Sequence, residues 1–384
     1  MSSKYSSKSI SVSIYGLLKC SSFVILSIGN TGKNKVLNGQ TIKVRLYKDL
    51  LIKENVDFNF VDLKDFSHHP ISSLIKIKKY IKDSERIVLI TAQRGVKVLI
   101  PFINSCNKKY KRPFILPMIG INILHKYTDD LNEEDHYSFM HDCNFKGVKP
   151  SKKDTKQLQK ITYILPENEM IKKVLVSFFK LENVEVLQNF RDSDFECKNH
   201  KRSSDALNII FLSRVMRNKG VFELIDAVKE INEKETLIKL DIYGEKYMDS
   251  NDSILFDSLL DSNVTYQGPC SNDKVIGTIS LYDLFVFPTL FKSEGTPGVI
   301  AESFIAGVPV LSSNFTQAPA LMTNGVDSII YEPSTRDELK NALINILKER
   351  KHIDLAKNVI NSRKKYFYTY NRELYLKYIC GLEK

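Results

Sequence analysis

The sequence predicts an α/β chain built as two Rossmann-like, doubly wound parallel-sheet domains facing a central cleft. Three observations carry this reading. At 384 residues the chain is too long for one ordinary domain, and two of roughly 190 residues each are the natural division. Short apolar runs alternate with amphipathic helical runs through both halves, which is the pattern of parallel βαβ units. No internal repeat or long low-complexity tract interrupts the alternation, and a hydrophobic content of 43% suffices for two cores.

In the first half, expected at residues 1–190, Phe23–Ile28, Asp57–Leu63, Arg86–Thr91 and Phe114–Met118 read as buried strands. Thr41–Glu54 and Pro70–Ile81 read as helices between them, and Thr162–Leu165 and Val184–Val186 as the last strands. The apolar stretch Ile10–Ile28 superficially suggests an export signal, with Lys4 and Lys8 ahead of it. Lys19 and several serines break it, and no segment reaches the roughly 18 apolar residues needed to span a bilayer. Residues 1–22 are therefore read as a lead-in. Polar Asn189–Asp205 is the expected linker. The second domain, 206–365, repeats the alternation with strands at Ile209–Ser213, Leu240–Gly244, Val264–Gln267, Leu284–Phe287, Val308–Ser312 and Ser328–Tyr331. Leu339–Leu347 and Ile353–Tyr366 are helical, and a last helix, Arg372–Ile379, lies in the terminal segment 366–384.

The most informative stretch is Phe285–Ser313, FVFPTLFKSEGTPGVIAESFIAGVPVLSS. It reads as strand, Gly/Pro loop (Pro288–Pro297), helix (Gly298–Ala306) and strand. At the start of that helix the amides of Gly298, Val299 and Ile300 lack intrahelical acceptors, so with the helix dipole they form a place for an anion, above all a phosphate. Gly298 permits close approach. Glu294 and Glu302 flank the turn. Carboxylates beside a phosphate repel it, so they are better employed accepting hydrogen bonds from sugar hydroxyls. Together these features suggest a nucleotide-activated sugar.

This stretch resembles the signature of the family 4 retaining glycosyltransferases, which have the two-domain GT-B fold. The residues that carry the likeness are Glu294, Gly295, Pro297, Gly298, Glu302, Ala306, Gly307, Pro309 and Val310. Upstream, the strand-like run Asn208–Ser213 leads into Arg214 and Lys219-Gly220, and cations at the C-terminal end of a parallel strand point into the ligand crevice. The resemblance implies that Arg214 and Lys219 hold the donor's diphosphate together with the loop Gly295, Thr296, Pro297, Gly298 and Val299. It also implies that the last helix crosses back onto the first domain. Glu294 is then the expected catalytic residue, orienting the transferred sugar, and Glu302 the acceptor of ribose hydroxyls.

The first domain is expected to hold the sugar acceptor. Gly29-Asn30-Thr31-Gly32, directly after the first strand and continuing through Lys33, Lys35 and Asn38, is a loop able to bring bare backbone to a ligand, and Gly120 lies in a second cleft loop. Many family members carry a His after a middle strand of this domain. Here Thr91-Ala92-Gln93-Arg94-Gly95 and Pro117-Met118-Ile119-Gly120 have none. His125 stands close by, and the remaining histidines show no metal or relay spacing.

No cofactor is expected. The single D-x-D, Asp192-Ser193-Asp194, falls in the linker, so no metal site is assigned to it, and six scattered cysteines without C-x-x-C suggest neither zinc nor a disulfide framework. They fit a reducing cytoplasm. Residues 1–190 hold 31 Lys/Arg against 18 Asp/Glu, whereas 191–384 hold 25 against 27. Clusters such as Lys76/Lys78/Lys79/Lys82 and Lys108/Lys109/Lys111/Arg112 suit an anionic membrane surface carrying a glycan or lipid-linked acceptor. The chain shows no nucleic-acid-binding signature, so nucleic acid is not an expected partner. The expected function is a retaining glycosyltransferase using a nucleotide-sugar, chiefly a UDP-sugar, peripheral on the inner face of the plasma membrane in surface polysaccharide assembly. A sugar-nucleotide epimerase of the same fold, or a non-catalytic basic binding protein, are the alternatives.

Overall fold

The structure, a computed structural model, describes residues 23–32, 39–64, 66, 68–197, 206–292 and 294–382. Lys33, Lys35, Asn38, the lead-in 1–22 and residues 198–205 of the expected linker lie outside the described residues. The first domain runs β1 (Val24–Gly29), α1 (Gly39–Lys53), β2 (Asp57–Asp62), α2 (Pro70–Asp83), β3 (Arg86–Ile90), α3 (Gln93–Asn107) and β4 (Phe114–Pro117). Short helices α4 (His125–Thr128), α5 (Glu133–His141) and α6 (Lys152–Leu158) follow, then β5 (Tyr163–Leu165) and α7 (Glu169–Phe179).

The second domain runs β6 (Leu207–Leu212), a 3-10 turn (Arg217–Lys219), α8 (Val221–Ile231), β7 (Ile238–Tyr243), α9 (Ser250–Ser258), β8 (Val264–Gly268) and α10 (Val275–Ile279). It continues with β9 (Leu284–Phe287), α11 (Gly298–Ile305), β10 (Val310–Ser313), α12 (Ala318–Leu321), β11 (Ser328–Tyr331), α13 (Arg336–Glu349) and α14 (Lys351–Ser362).

Both sheets are parallel. Their orders are β2-β1-β3-β4-β5 and β11-β10-β9-β6-β7-β8. Each strand order reverses once, between β1 and β3 in the first sheet and between β6 and β9 in the second. At such a reversal the loops leaving two neighbouring strands turn in opposite directions and open a crevice at the strands' C-terminal ends. The pairing of Ile209 with Leu284 and Ile210 with Phe285 sets the end of β6 beside the end of β9, so their two loops share one crevice.

Apolar side chains fill both faces of each sheet. Ile77 and Ile81 of α2, Leu99 and Ile103 of α3 and Phe178 of α7 cover one face of the first sheet. Val44, Tyr47 and Leu51 of α1 cover the other. That second face is completed by the chain's far end, where α15 (Tyr368–Tyr375) and a π-helical turn (Leu376–Cys380) bring Tyr368, Tyr375, Ile379 and Cys380 into the same core. The Tyr375 ring meets Tyr47 edge-on at 5.3 Å and its hydroxyl donates to the Tyr47 carbonyl at 3.0 Å.

Two expectations need correction. Val184–Val186 forms no full strand: Val184 makes an isolated parallel bridge with Ile164, with the Glu185 amide on the Ile164 carbonyl at 3.0 Å and the Leu187 amide on the Pro166 carbonyl at 3.0 Å. The crossing to the second domain, expected as a solvated linker, is pinned over its described part. The Arg191 amide donates to the Tyr366 carbonyl and the Tyr368 amide to the Arg191 carbonyl, both at 2.8 Å. The two passages of chain between the domains thus hydrogen-bond to one another.

Tyr375→Ala is expected to destabilise the protein by about 3–5 kcal/mol, the usual cost of emptying a buried aromatic site. Urea unfolding measures it, and a loss below about 1 kcal/mol would mean that the terminal segment is not part of the first domain's core.

Candidate functional site

The crevice of the second sheet is assembled from the loop after β6 and the loop after β9. Their close approach depends on Gly220, which has a positive φ of 73° and whose missing Cβ would stand 1.9 Å from the Pro288 carbonyl oxygen. Any side chain there would push the two loops apart. Lys219, one residue earlier, is therefore carried to the crevice floor, where it is 5% exposed, and its ammonium pairs with Glu294. Thr289 Oγ1 also donates to Glu294 Oε2 at 3.2 Å. The sequence reading gave Lys219 and Glu294 separate tasks; the fold puts them in contact. A buried charge left alone is strongly disfavoured, so each neutralises the other. Arg214 stands at the rim, exposed, with its guanidinium 5.7 Å from the centre of the Tyr247 ring.

α11 begins at Gly298 with Pro297 as its N-cap. The Ile300 amide folds back onto the Pro297 carbonyl at 3.2 Å. Of the three amides expected to be available for an anion, only those of Gly298 and Val299 lack an acceptor among the described residues. The room above Gly298 is occupied by a residue the sequence reading did not single out. A Cβ at Gly298 would stand 2.1 Å from Arg191 Nη2, and Arg191 Nε donates to Glu302 Oε1 at 2.7 Å. A guanidinium at a helix N-terminus opposes the helix dipole. Glu302, one turn into α11, offsets it. Glu302 is thus engaged by Arg191 from the interdomain crossing.

The first domain meets this loop across the cleft. Gly120 (φ 52°) lies against Gly295, a Cβ at Gly120 being 3.5 Å from the Gly295 Cα. Its loop is held from below by a buried ion pair: Lys43 Nζ donates to Glu167 Oε1 and to the Met118 carbonyl, both at 2.7 Å, while the Gly120 amide donates to Glu167 Oε2 at 3.0 Å. Asn168 Nδ2 donates to Gln317 Oε1 at 2.9 Å, and the same oxygen accepts from Thr296 Oγ1 at 3.1 Å. Two histidines of α5, for which sequence spacing suggested no role, meet Thr316 of the second domain. His141 Nε2 lies 2.6 Å from its carbonyl oxygen and His136 Nδ1 3.2 Å from its Oγ1. Because the Thr316 hydroxyl donates to the Lys292 carbonyl, His136 Nδ1 must be the donor to Thr316. Burial, and then the charge of His125, hold the His136 pKa below its usual value. His125 itself is held by Asp129, at 2.8 Å on Nδ1.

The loop after β1 is shaped by packing. A Cβ on Gly29 would stand 2.7 Å from Val44 Cγ2, so this glycine makes room for α1. Asn30 Oδ1 accepts from the Gly32 amide at 2.8 Å, and Thr31 is tied to Asp62 at the end of β2. In the D-x-D, Asp192 pairs with Lys53 at 2.6 Å. Among the described residues no group of three or more His, Cys, Asp or Glu is arranged to hold a metal ion, and no helix is long and apolar enough to cross a membrane.

Residues 206–349, the half that contains the crevice, match the family described as glycosyl transferases group 1. This part of the chain is thus similar to the group 1 glycosyltransferases. The capsular polysaccharide biosynthesis glycosyltransferase CapM of Staphylococcus aureus is 31% identical over 148 residues, 37% of each chain. A GDP-mannose-dependent alpha-(1-6)-phosphatidylinositol monomannoside mannosyltransferase of Mycobacterium tuberculosis is 24% identical over 161 residues, 40% of this chain and 42% of that one. The matches therefore span about two fifths of these relatives' length. Over the whole chain the likeness is one of fold: HepE of Anabaena, solved in complex with UDP and glucose, superimposes with a TM-score of 0.64 at 15% identity, covering 94% of this chain and 100% of that one. The two parallel-sheet domains thus share the GT-B fold.

Gly298→Ala is expected to lower stability by about 1–3 kcal/mol through the clash with Arg191. In an Arg191→Ala background the same change should cost much less, and equal losses of melting temperature in both backgrounds would contradict the contact.

Proposed function

We propose that this chain transfers a sugar from a nucleotide-sugar donor, first of all a UDP-sugar, to a glycan or lipid-linked acceptor in surface polysaccharide assembly, with retention at the anomeric carbon. The observation that supports it most is the crevice at the β6/β9 reversal. There Lys219 of the β6 loop pairs with Glu294 of the β9 loop, Arg214 follows the end of β6, and the β9 loop leads into the start of α11 and Glu302. The HepE complex favours uridine, and the mycobacterial relative makes guanosine the competing base.

In this mechanism the diphosphate takes Lys219 and Arg214 as counter-ions and the Gly298 and Val299 amides as donors. Glu294, released from Lys219, accepts from hydroxyls of the transferred sugar. Glu302 accepts from the ribose hydroxyls. As the bond from sugar to diphosphate breaks, charge builds on the leaving oxygen and on an oxocarbenium-like ring, and the fixed cations and amides stabilise the former. The departing oxygen takes the acceptor hydroxyl's proton as that hydroxyl bonds to the same face of the sugar. No metal is assigned, since two side-chain cations supply the charge.

We place the protein peripherally on the inner face of the plasma membrane. On α2, Ile71 (73% exposed) and Ile75 (63%) stand beside the exposed Lys76, Lys78, Lys79 and Lys82, a face suited to anionic headgroups at about 1 kcal/mol per cation.

In a screen of nucleotide sugars, Glu302→Ala and Arg214→Ala are expected to weaken donor binding at least tenfold. Glu294→Ala should lower turnover at least as much as affinity, and wild-type turnover in that variant would remove it from the reaction. Lys76→Glu/Lys79→Glu should abolish sedimentation with phosphatidylserine vesicles at low salt. Undiminished sedimentation would dismiss α2 as the contact.

A further inference from the structure

Outside the crevice the first domain contains a cavity of about 360 Å³ between α3, the segment through α4, and α6. Its wall has two characters. Val96, Ile100 and Ile123 contribute apolar surface, while Lys97, Lys126 and Lys153 stand around it. Lys126 is engaged by Asp154 at 2.8 Å. Lys97 and Lys153 are exposed and form no salt bridge among the described residues, although the charge of Lys153 also acts on the nearby Asp154 carboxylate. Apolar walls with a few convergent polar groups are the usual make-up of a small-molecule site. A volume equal to about a dozen waters admits a short hydrocarbon segment or one sugar, not a polymer.

Its position ties it to the crevice. The loop after β4 touches the Glu294 loop through Gly120 against Gly295, and two residues later Asn122 reaches the cavity wall. Asn122 is 3% exposed and donates to the Thr91 carbonyl at the end of β3 at 2.7 Å, and Gln93, at the start of α3, also lines the cavity. The cavity therefore borders the same strand ends that face the second domain. On its outer side, Val98, 49% exposed, follows Lys97 on α3, and α3 packs beside α2.

We propose that this cavity binds an anionic amphiphile, with its apolar stem against Val96, Ile100 and Ile123 and its phosphate between Lys97 and Lys153. That this ligand is the acceptor's lipid end rests on the glycosyltransferase reading above; the binding itself does not. Lysine stems lie along the apolar wall while their ammonium groups reach the phosphate. A charged head and a hydrocarbon stem are thus recognised within one site.

Decyl phosphate serves as the probe, titrated by calorimetry below its micellar concentration onto the full chain, with decanol and inorganic phosphate as the separate halves of its chemistry. Saturable binding of one decyl phosphate is expected, at least tenfold tighter than either half. Lys97→Glu/Lys153→Glu, both at exposed positions, should weaken it at least tenfold, and Val96→Trp should abolish it by filling the cavity. The lysine variant keeps the test decisive if Val96→Trp fails to fold. Unchanged affinity in the lysine variant, inorganic phosphate binding as tightly as decyl phosphate, or no binding at all would each overturn the proposal. UDP is titrated in parallel. Loss of UDP binding with decyl phosphate binding intact would count against the transferase reading and leave the cavity's ligand standing.

Discussion

The second domain depends on a cleft whose charges neutralise one another. Lys219 meets Glu294 and Arg191 meets Glu302, and each pair joins a residue brought by one passage of chain to a residue brought by another. Desolvated charges of one sign would force these loops apart; paired, they add to the backbone contacts, such as the Leu290 amide on the Asn218 carbonyl at 3.0 Å, that already hold the β6 and β9 loops together. Under the function proposed above, a diphosphate enters by exchange: it replaces the carboxylate as the partner of Lys219, and affinity then reflects the difference between two sets of partners.

Much of this was legible in the sequence, and the reason is local. Strand periodicity and the alternation of elements depend on neighbours a few residues away, so Leu284–Phe287 and Ser328–Tyr331 were read with the bounds they have. The Glu294–Glu302 turn was equally readable, because glycine and proline at fixed offsets imply a particular backbone. Arg191 was not. A cation in a polar stretch has no pattern, and only the three-dimensional closeness of residues 191 and 302 gives it a task. Lys43 and Glu167, far apart in sequence, escaped for the same reason, as did His136 and His141, whose partner Thr316 lies in the other domain. Gly29 carries a constraint that the sequence alone does not show: Val44 of the neighbouring helix takes the space beside it.

The domains are joined by a small set of polar contacts and by the paired crossing at Arg191. Asn168, Gln317 and Thr296 form a chain from the first domain to the Glu294 loop. Arg191 belongs to both levels, its backbone bonded to the returning strand and its side chain to Glu302. Glu302 is therefore linked directly to the crossing between the domains.

The packing of residues 368–380 into the first domain's core has a consequence for biosynthesis. On the ribosome, α1 can cover part of that face of the first sheet early, but the rest waits for Tyr368, Tyr375 and Ile379. Those residues are made only after the whole second domain. A nascent chain of this protein thus carries a partly clothed sheet while its second domain is synthesised, a surface of the kind that chaperones shield.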